Sequence, residues 1–239
     1  MNGESTTETM TGPSVKLMSE KAAQYGMYVA GTIELFDPAT DRLTNSALLF
    51  DRSGKLVGRY DKIHLYGPEL HAEGVIPGDR VPVFTADFGR VAFMTCYDSW
   101  YTDVAELAAL RGADLLLFPN LGYDRGLMRA RALDNRINIV TSTRSGGYGV
   151  WDTGGRDLVA LPPEAADEAA FKDLVRTQGE AELGILMVTV NLNAPSENGG
   201  SWSPVPRTRR NGSNSRVWLD EQIYREKLRW WTDPPEERN

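Results

Sequence analysis

Cysteine and histidine are scarce in this sequence. Its 239 residues include one cysteine, Cys96, and two histidines, His64 and His71. A single cysteine excludes an internal disulfide and fits a reducing compartment, so we expect a cytoplasmic protein. So few thiols and imidazoles also argue against a zinc site of the Cys/His type. We expect neither a metal nor a cofactor.

Positive charge and long apolar runs are also lacking. The net charge of −7 argues against nucleic acid or an anionic membrane as the main partner. No apolar run approaches the length of a membrane span, and the opening residues MNGESTTETM do not resemble a signal peptide. With 41% hydrophobic residues the composition is that of a soluble globular protein. We expect one domain over residues 1–193, followed by a C-terminal arm and helix over residues 194–239.

Helical and strand patterns alternate along the chain. A helix is expected from Ser14, its cap, to Gly26, with Val15, Leu17, Met18 and Ala22 on its buried face. The spacing predicts a loop over residues 66–80 and further helices over residues 103–111, 127–135 and 220–231. Strands are predicted over residues 28–35, 46–51, 56–60, 81–86, 90–95, 113–118, 137–142, 149–152, 157–161 and 184–192. This order, with several hairpins, indicates an α/β sandwich with a mixed sheet.

Cys96 lies where a short apolar strand ends and a turn leads into a helix. A thiol at that position of a parallel sheet lies near helical N–H groups, which stabilise negative charge on sulfur and on a substrate oxygen. This position makes Cys96 a candidate nucleophile. The alternative is a small buried core residue, the commonest fate of a lone cysteine.

Two further charged positions fit the same chemistry. Lys62 follows a strand beside apolar Ile63 and could stabilise a thiolate or an oxyanion, or could simply point to water from an edge strand. Glu73, before a Pro-Gly turn, could orient a substrate amide or act as a base; the alternative is a solvated loop residue. Glu69 competes with Glu73 for this role.

Several short motifs occur together in a fixed order. They are RYDKIHL (residues 59–65), PGD (77–79), CYD (96–98), RGAD (111–114) and RARALDN (129–135). In this order and spacing they resemble the nitrilase superfamily of carbon–nitrogen hydrolases, over about residues 12–192. The form E-G-x-x-P-G after Ala72 is similar to the pattern of aliphatic amidases in particular.

The resemblance implies a four-layer αββα sandwich with mixed β-sheets and a Glu-Lys-Cys catalytic set. Cys96 would attack a carbonyl or nitrile carbon, and Lys62 with the Tyr97 backbone N–H would stabilise the tetrahedral intermediate. Glu73 matches the second glutamate of the set. Asn120 and Tyr123 follow a strand end where family members shape the substrate site, and Trp100 could line the same pocket. Homodimers or larger homo-oligomers are common in the family.

One part of the family pattern is missing. The general-base glutamate of the family closes an early strand in a Pro-Glu context, and no such motif precedes Lys62. We therefore expect an N-terminally truncated family member and assign the base to no residue.

The function expected is hydrolysis of non-peptide C–N bonds in small amides. We expect neither nucleic acid nor a membrane as a partner. A nitrilase, an N-carbamoyl amidohydrolase and a catalytically inactive scaffold or regulatory partner remain open. A Cys/His enzyme using His64 or His71 is a further alternative.

Overall fold

Two β-sheets face each other in a computed structural model of the chain, which describes residues 7–71, 73–143, 148–159 and 188–192. Within those ranges no helix has the length and apolar character that a membrane span requires. The helices are α1 (Pro13–Tyr25), α2 (Gly67–His71), α3 (Asp103–Leu110) and α4 (Arg125–Asn135). The strands are β1 (Val29–Asp37), β2 (Arg42–Phe50), β3 (Leu56–Asp61), β4 (Phe84–Ala86), β5 (Gly89–Phe93), β6 (Leu115–Asn120), β7 (Asn138–Thr143) and β8 (Val150–Trp151).

The first sheet consists of β1, β2 and β3, paired antiparallel in that order. Alternate side chains of these strands face opposite sides of the sheet, and one side is covered by α1. The core between α1 and this sheet consists of Val15, Ala22, Leu35, Leu48 and Phe50. The prediction that Leu17 is buried is wrong, because its side chain is 53% exposed.

The second sheet has the order β4-β5-β6-β7-β8. The pairs β5–β6 and β6–β7 are parallel, whereas both outer pairs are antiparallel, so this sheet is mixed. One continuous core contains residues of both sheets together with residues of α3 and α4, among them Leu49, Phe93, Val104 and Met128. With α1 on the far side of the first sheet, the layers are α, β, β and α, and the predicted four-layer αββα sandwich is confirmed.

The ends of α1 were only partly predicted. The helix is capped at Gly12 rather than Ser14, and Pro occupies its first position. Ser14 donates from its backbone N and its Oγ to the Glu8 carboxylate, at 2.9 and 2.6 Å. Gly26 ends the helix in the left-handed region (φ 58°), as the sequence indicated.

Other differences arise where long-range pairing or a short helix forms. The predicted loop 66–80 contains helix α2. Glu8, which precedes the first predicted helix, forms a parallel bridge with Leu35. Of the predicted strand over residues 157–161, the structure describes residues 157–159, where Asp157 makes one antiparallel bridge to Trp151. Residues 188–192 carry no strand, and the predicted arm and helix over residues 194–239 lie outside the described residues.

Candidate active site

Cys96 lies at a sharp bend after the first parallel strand of the second sheet. The pairing of β5 with β6 continues to Met94, whose N donates to the Leu117 carbonyl at 3.0 Å. Cys96 then begins a short 3₁₀ helix, Cys96–Trp100, with a φ of 46°. A residue with a side chain costs about 1–2 kcal/mol in this left-handed region, and such strain concentrates at functional sites. Cys96 is partly exposed and belongs to neither core cluster, which argues against the core-residue interpretation.

Lys62 extends β3 by one residue, since its N donates to the Asn45 carbonyl at 2.8 Å. Its side chain therefore projects to the same side as that of Tyr60, toward the second sheet. Only 2% of the Lys62 side chain is exposed, and its Nζ lies 2.5 Å from Glu69 Oε2. The alternative that the Lys62 side chain points to water is therefore wrong.

Glu69 is held by three donors. Its Oε2 also accepts from the Tyr66 backbone N at 2.7 Å, and its Oε1 accepts from Asn45 Nδ2 at 2.7 Å. The first turn of α2 brings it back over the end of β3. The same Asn45 therefore fixes the backbone of Lys62 and the carboxylate that neutralises it.

Glu73, the glutamate first favoured from the sequence, is exposed. Its backbone N donates to the Pro68 carbonyl at 3.1 Å, which places it beyond the end of α2. The carboxylate that pairs with Lys62 belongs to the competing Glu69. The role that the sequence assigned to Glu73, orienting a substrate amide or acting as a base, stays a prediction.

Asp98 is fully buried two residues after Cys96. Its Oδ2 accepts from Tyr60 Oη at 2.6 Å and from the Thr95 N at 2.8 Å, and its Oδ1 accepts from the His64 N at 2.7 Å. Burial raises the pKa of the Asp98 carboxyl above its usual value, and the donors partly oppose this effect.

His64 directs its Nε2 toward the Asp103 carboxylate, at 2.9 and 3.1 Å from its two oxygens. Its ring stacks on Tyr101 with centroids 3.9 Å apart. His71 lies exposed on α2. The imidazole of His64 thus pairs with a carboxylate of α3, which leaves the Cys/His alternative without a supporting contact.

The other predicted site residues lie on segments at the carboxyl ends of β5 and β6. Tyr97 packs its ring edge-on against Tyr66 and Tyr101, and Trp100 is 59% exposed. Asn120 ends β6 and donates from Nδ2 to the Phe118 carbonyl at 3.0 Å. Its Oδ1 is buried, and no residue that the structure describes forms a hydrogen bond with it.

Tyr123 packs edge-on against Phe118 and Trp151, with ring centroids 5.9 and 5.7 Å away. Its hydroxyl accepts a hydrogen bond from Arg125 at 3.0 Å. Burial raises the pKa of the Tyr123 phenol. Its ring therefore belongs to the packing at the end of the second sheet.

A cavity of about 390 Å³ lies against the first sheet. Arg59 and Asp61 line it from the face opposite to Tyr60, together with charged residues of the β1–β2 turn and of residues 78–80. Neither Cys96 nor Lys62 lines this cavity, so it is separate from the candidate active site. Within the part of the chain that the structure describes, no three His, Cys, Asp or Glu side chains gather as a metal site.

An αββα sandwich with a cysteine at the carboxyl end of a parallel strand, and with a buried lysine at the end of a strand in the facing sheet, has the architecture of a carbon–nitrogen hydrolase. A family model described as carbon-nitrogen hydrolase matches residues 3–192. The chain belongs to this family, as the motif order indicated.

Its relatives include amidases. The chain is 28% identical to the omega-amidase NIT3 of Saccharomyces cerevisiae over 53% of its own length and 49% of the relative's. It is 27% identical to the omega-amidase NIT2-B of Xenopus laevis (70% and 66% of the two chains) and 34% identical to a probable nitrilase of Schizosaccharomyces pombe (76% and 66%). The chain thus spans between half and two-thirds of the length of these relatives.

Solved structures agree on the fold. Saccharomyces cerevisiae Nit3, a member of branch 10 of the nitrilase superfamily, superposes with a TM-score of 0.56 at 25% identity, over 64% of this chain and 62% of that one. A mutant of the amidase from Nesterenkonia sp. AN1, in complex with butyramide, gives a TM-score of 0.54 at 26% identity, over 60% of each chain.

Proposed function

We propose that this chain hydrolyses non-peptide C–N bonds of small primary amides, with Cys96 as the nucleophile. The observation that carries the proposal is the strained, partly exposed cysteine at the end of β5. Buried Lys62 lies at the end of the facing strand β3. Relatives of the chain are amidases, and one of their structures holds butyramide.

In the proposed reaction the Cys96 thiolate attacks the amide carbon, and the carbonyl π electrons move to oxygen. The Lys62 ammonium and the Tyr97 N–H stabilise that oxyanion. The C–N bond then breaks, the nitrogen takes a proton and leaves as ammonia, and a thioester remains. Water attacks the thioester, which releases the carboxylic acid and restores the thiol.

The general base has no assigned residue. Of the glutamates before Lys62, Glu8 binds Ser14, Glu34 accepts a hydrogen bond from Thr7, and Glu20 is exposed on α1. Glu4 lies outside the described residues. A positioned base is typically worth about 10²–10⁴ in rate, so an enzyme without one would be slow.

The test is ammonia release from short aliphatic amides, beginning with butyramide, by the wild type and by Cys96→Ala. We expect butyrate and ammonia in equal amounts from the wild type, and a rate at least about 10³-fold lower in the variant. Butyronitrile and an N-carbamoyl amine, run in parallel, distinguish the nitrilase and carbamoyl alternatives. If the folded wild type turns over none of these compounds, the chain is the inactive scaffold or regulatory partner instead.

The homo-oligomer that the resemblance implies remains part of this proposal. Sedimentation velocity separates it from a monomer of 26.5 kDa.

A further inference from the structure

We infer that Asp98 is the positioning residue that fixes Lys62 relative to Cys96, by tying both flanks of the lysine to the turn that carries the thiol. The inference rests on the roles proposed above for Cys96 and Lys62. In this inference Asp98 does not touch the substrate, and it affects the reaction rate by holding Lys62 in position.

The contacts of Asp98 flank Lys62 on both sides and also reach the residue before Cys96. Tyr60 and His64, two residues before and two residues after Lys62, both donate to the Asp98 carboxylate. Thr95, immediately before Cys96, donates to it from the other side. One carboxylate therefore accepts hydrogen bonds from both sides of the lysine and from the neighbour of the cysteine.

These bonds join the two sheets. Tyr60 belongs to β3 of the first sheet, and Asp98 follows β5 of the second, 38 residues later. Lys62 and Cys96 extend from these same two strands, so their separation depends on how firmly the two strand ends are joined. The bonds to Asp98 have no competing water, because Asp98 and Tyr60 are both 0% exposed.

A second link joins the same two segments without touching the backbone around Lys62. It consists of the His64 ring, the Tyr101 ring and the Asp103 carboxylate. This link can keep the segments together when Asp98 is altered, and it provides a matched control. An effect of general loosening would follow from Asp103→Asn as well as from Asp98→Asn.

The substitution that tests the inference is Asp98→Asn, which keeps the shape but replaces one acceptor oxygen with an NH₂ donor. We expect kcat on butyramide to fall about 10²-fold, as for a displacement of about 1 Å, with KM changed less than about twofold. We also expect a roughly tenfold slower alkylation of Cys96 by iodoacetamide at pH 7, because the ammonium that the proposal places near the attacking sulfur is displaced. Tyr60→Phe, which removes a single donor, should shift both rates in the same direction by less.

The control Asp103→Asn should leave kcat and the alkylation rate within about twofold of the wild type. In a Lys62→Met background, Asp98→Asn should have no further effect on alkylation, since the residue that it positions is gone. Equal losses in Asp103→Asn and Asp98→Asn would overturn the inference, as would an undiminished effect in the Lys62→Met background. If Asp98→Asn does not fold, Tyr60→Phe decides by the same comparisons.

The alkylation assay keeps this inference separate from the proposed function. A wild type without amidase activity, in which Asp98→Asn still slows alkylation only when Lys62 is present, would reject the hydrolase and retain the positioning role. If the wild type hydrolyses butyramide and Asp98→Asn hydrolyses it at the same rate, the positioning role is rejected and the proposed function stands.

Discussion

Lys62 shows at the scale of single residues how a charge is buried in this protein. Its ammonium is 2% exposed and is neutralised by a carboxylate that itself has two further donors. Burying an unpaired ammonium would cost several kcal/mol, roughly the whole stability of a small domain. The ion pair between Lys62 and Glu69 is therefore required for the strand end to lie inside.

This pair leads to a prediction that distinguishes the two glutamates. Glu69→Gln leaves the buried ammonium without its counter-charge, so we expect the free energy of unfolding to fall by about 3–5 kcal/mol. Glu73→Gln changes an exposed residue and should stay within about 0.5 kcal/mol of the wild type. Urea unfolding at pH 7 measures both. Equal losses, or a larger loss in Glu73→Gln, would show that Glu69 does not neutralise Lys62.

The sequence could not decide between these glutamates because both lie in one segment rich in glycine and charge. The match of Glu73 to an E-G-x-x-P-G pattern favoured it. The short helix Gly67–His71 places Glu69 over Lys62 and carries the chain away before Glu73. A helix of five residues is too short to show a repeating pattern of apolar side chains, so the sequence could not predict it.

At the scale of elements, the turn between β2 and β3 is organised by one carboxylate. Asp51 accepts hydrogen bonds from the Ser53 Oγ at 2.6 Å, from the Ser53 N at 2.9 Å and from the Lys55 N at 3.0 Å. The Ser53 hydroxyl contributes most to lowering the pKa of Asp51; desolvation opposes it, and the backbone N–H groups of Lys55 and Ser53 lower the pKa further. The charged form of Asp51 thus stabilises the hairpin.

A pH dependence follows from the lowered pKa of Asp51. Its contribution to stability is present above the ordinary carboxyl pKa and is lost as the pH falls through the lower value of the folded state. We expect Asp51→Asn to have a lower melting temperature than the wild type at pH 7. This difference should shrink as the pH falls through the lowered pKa of Asp51. Melting curves from pH 7 to about pH 3 test this.

Ser53→Ala is the matched variant for this pH series. It removes the strongest donor but keeps the charge, so part of the same pH dependence should disappear. A difference between Asp51→Asn and the wild type that stays constant over the whole series would contradict the assignment.

At the scale of the whole molecule, one core joins both sheets to α3 and α4, and a smaller one lies under α1. The larger core contains Leu49 and Tyr60 of the first sheet beside Phe93 and Leu116 of the second. Since neither sheet can bury its inner face alone, we expect the two to unfold together.

One leucine of β2 and one leucine of α1 test this arrangement. Leu49→Ala opens a cavity between the sheets and should lower the free energy of unfolding by about 2–5 kcal/mol. Leu17→Ala, on the exposed face of α1, should change it by less than about 0.5 kcal/mol. Denaturant unfolding measures the size of each effect. Hydrogen exchange should show Leu49→Ala weakening amide protection in β5 and β6 as well as in β2. Weakened protection in β2 alone would contradict a shared core.

The sequence by itself determined the family, the alternation of helices and strands, the glycine end of α1 and the position of Cys96 at a strand end. These features depend on residues within a few positions of one another or on the order of short motifs. Only the tertiary structure decided that Glu69 pairs with Lys62, that Leu17 faces outward and that Asp98 joins the two strand ends. Asp98 meets Tyr60 and His64 across 38 and 34 residues, and such contacts depend on how the two sheets pack. Local patterning carries no information about that packing, because the same turn residue could equally accept hydrogen bonds from its own neighbours.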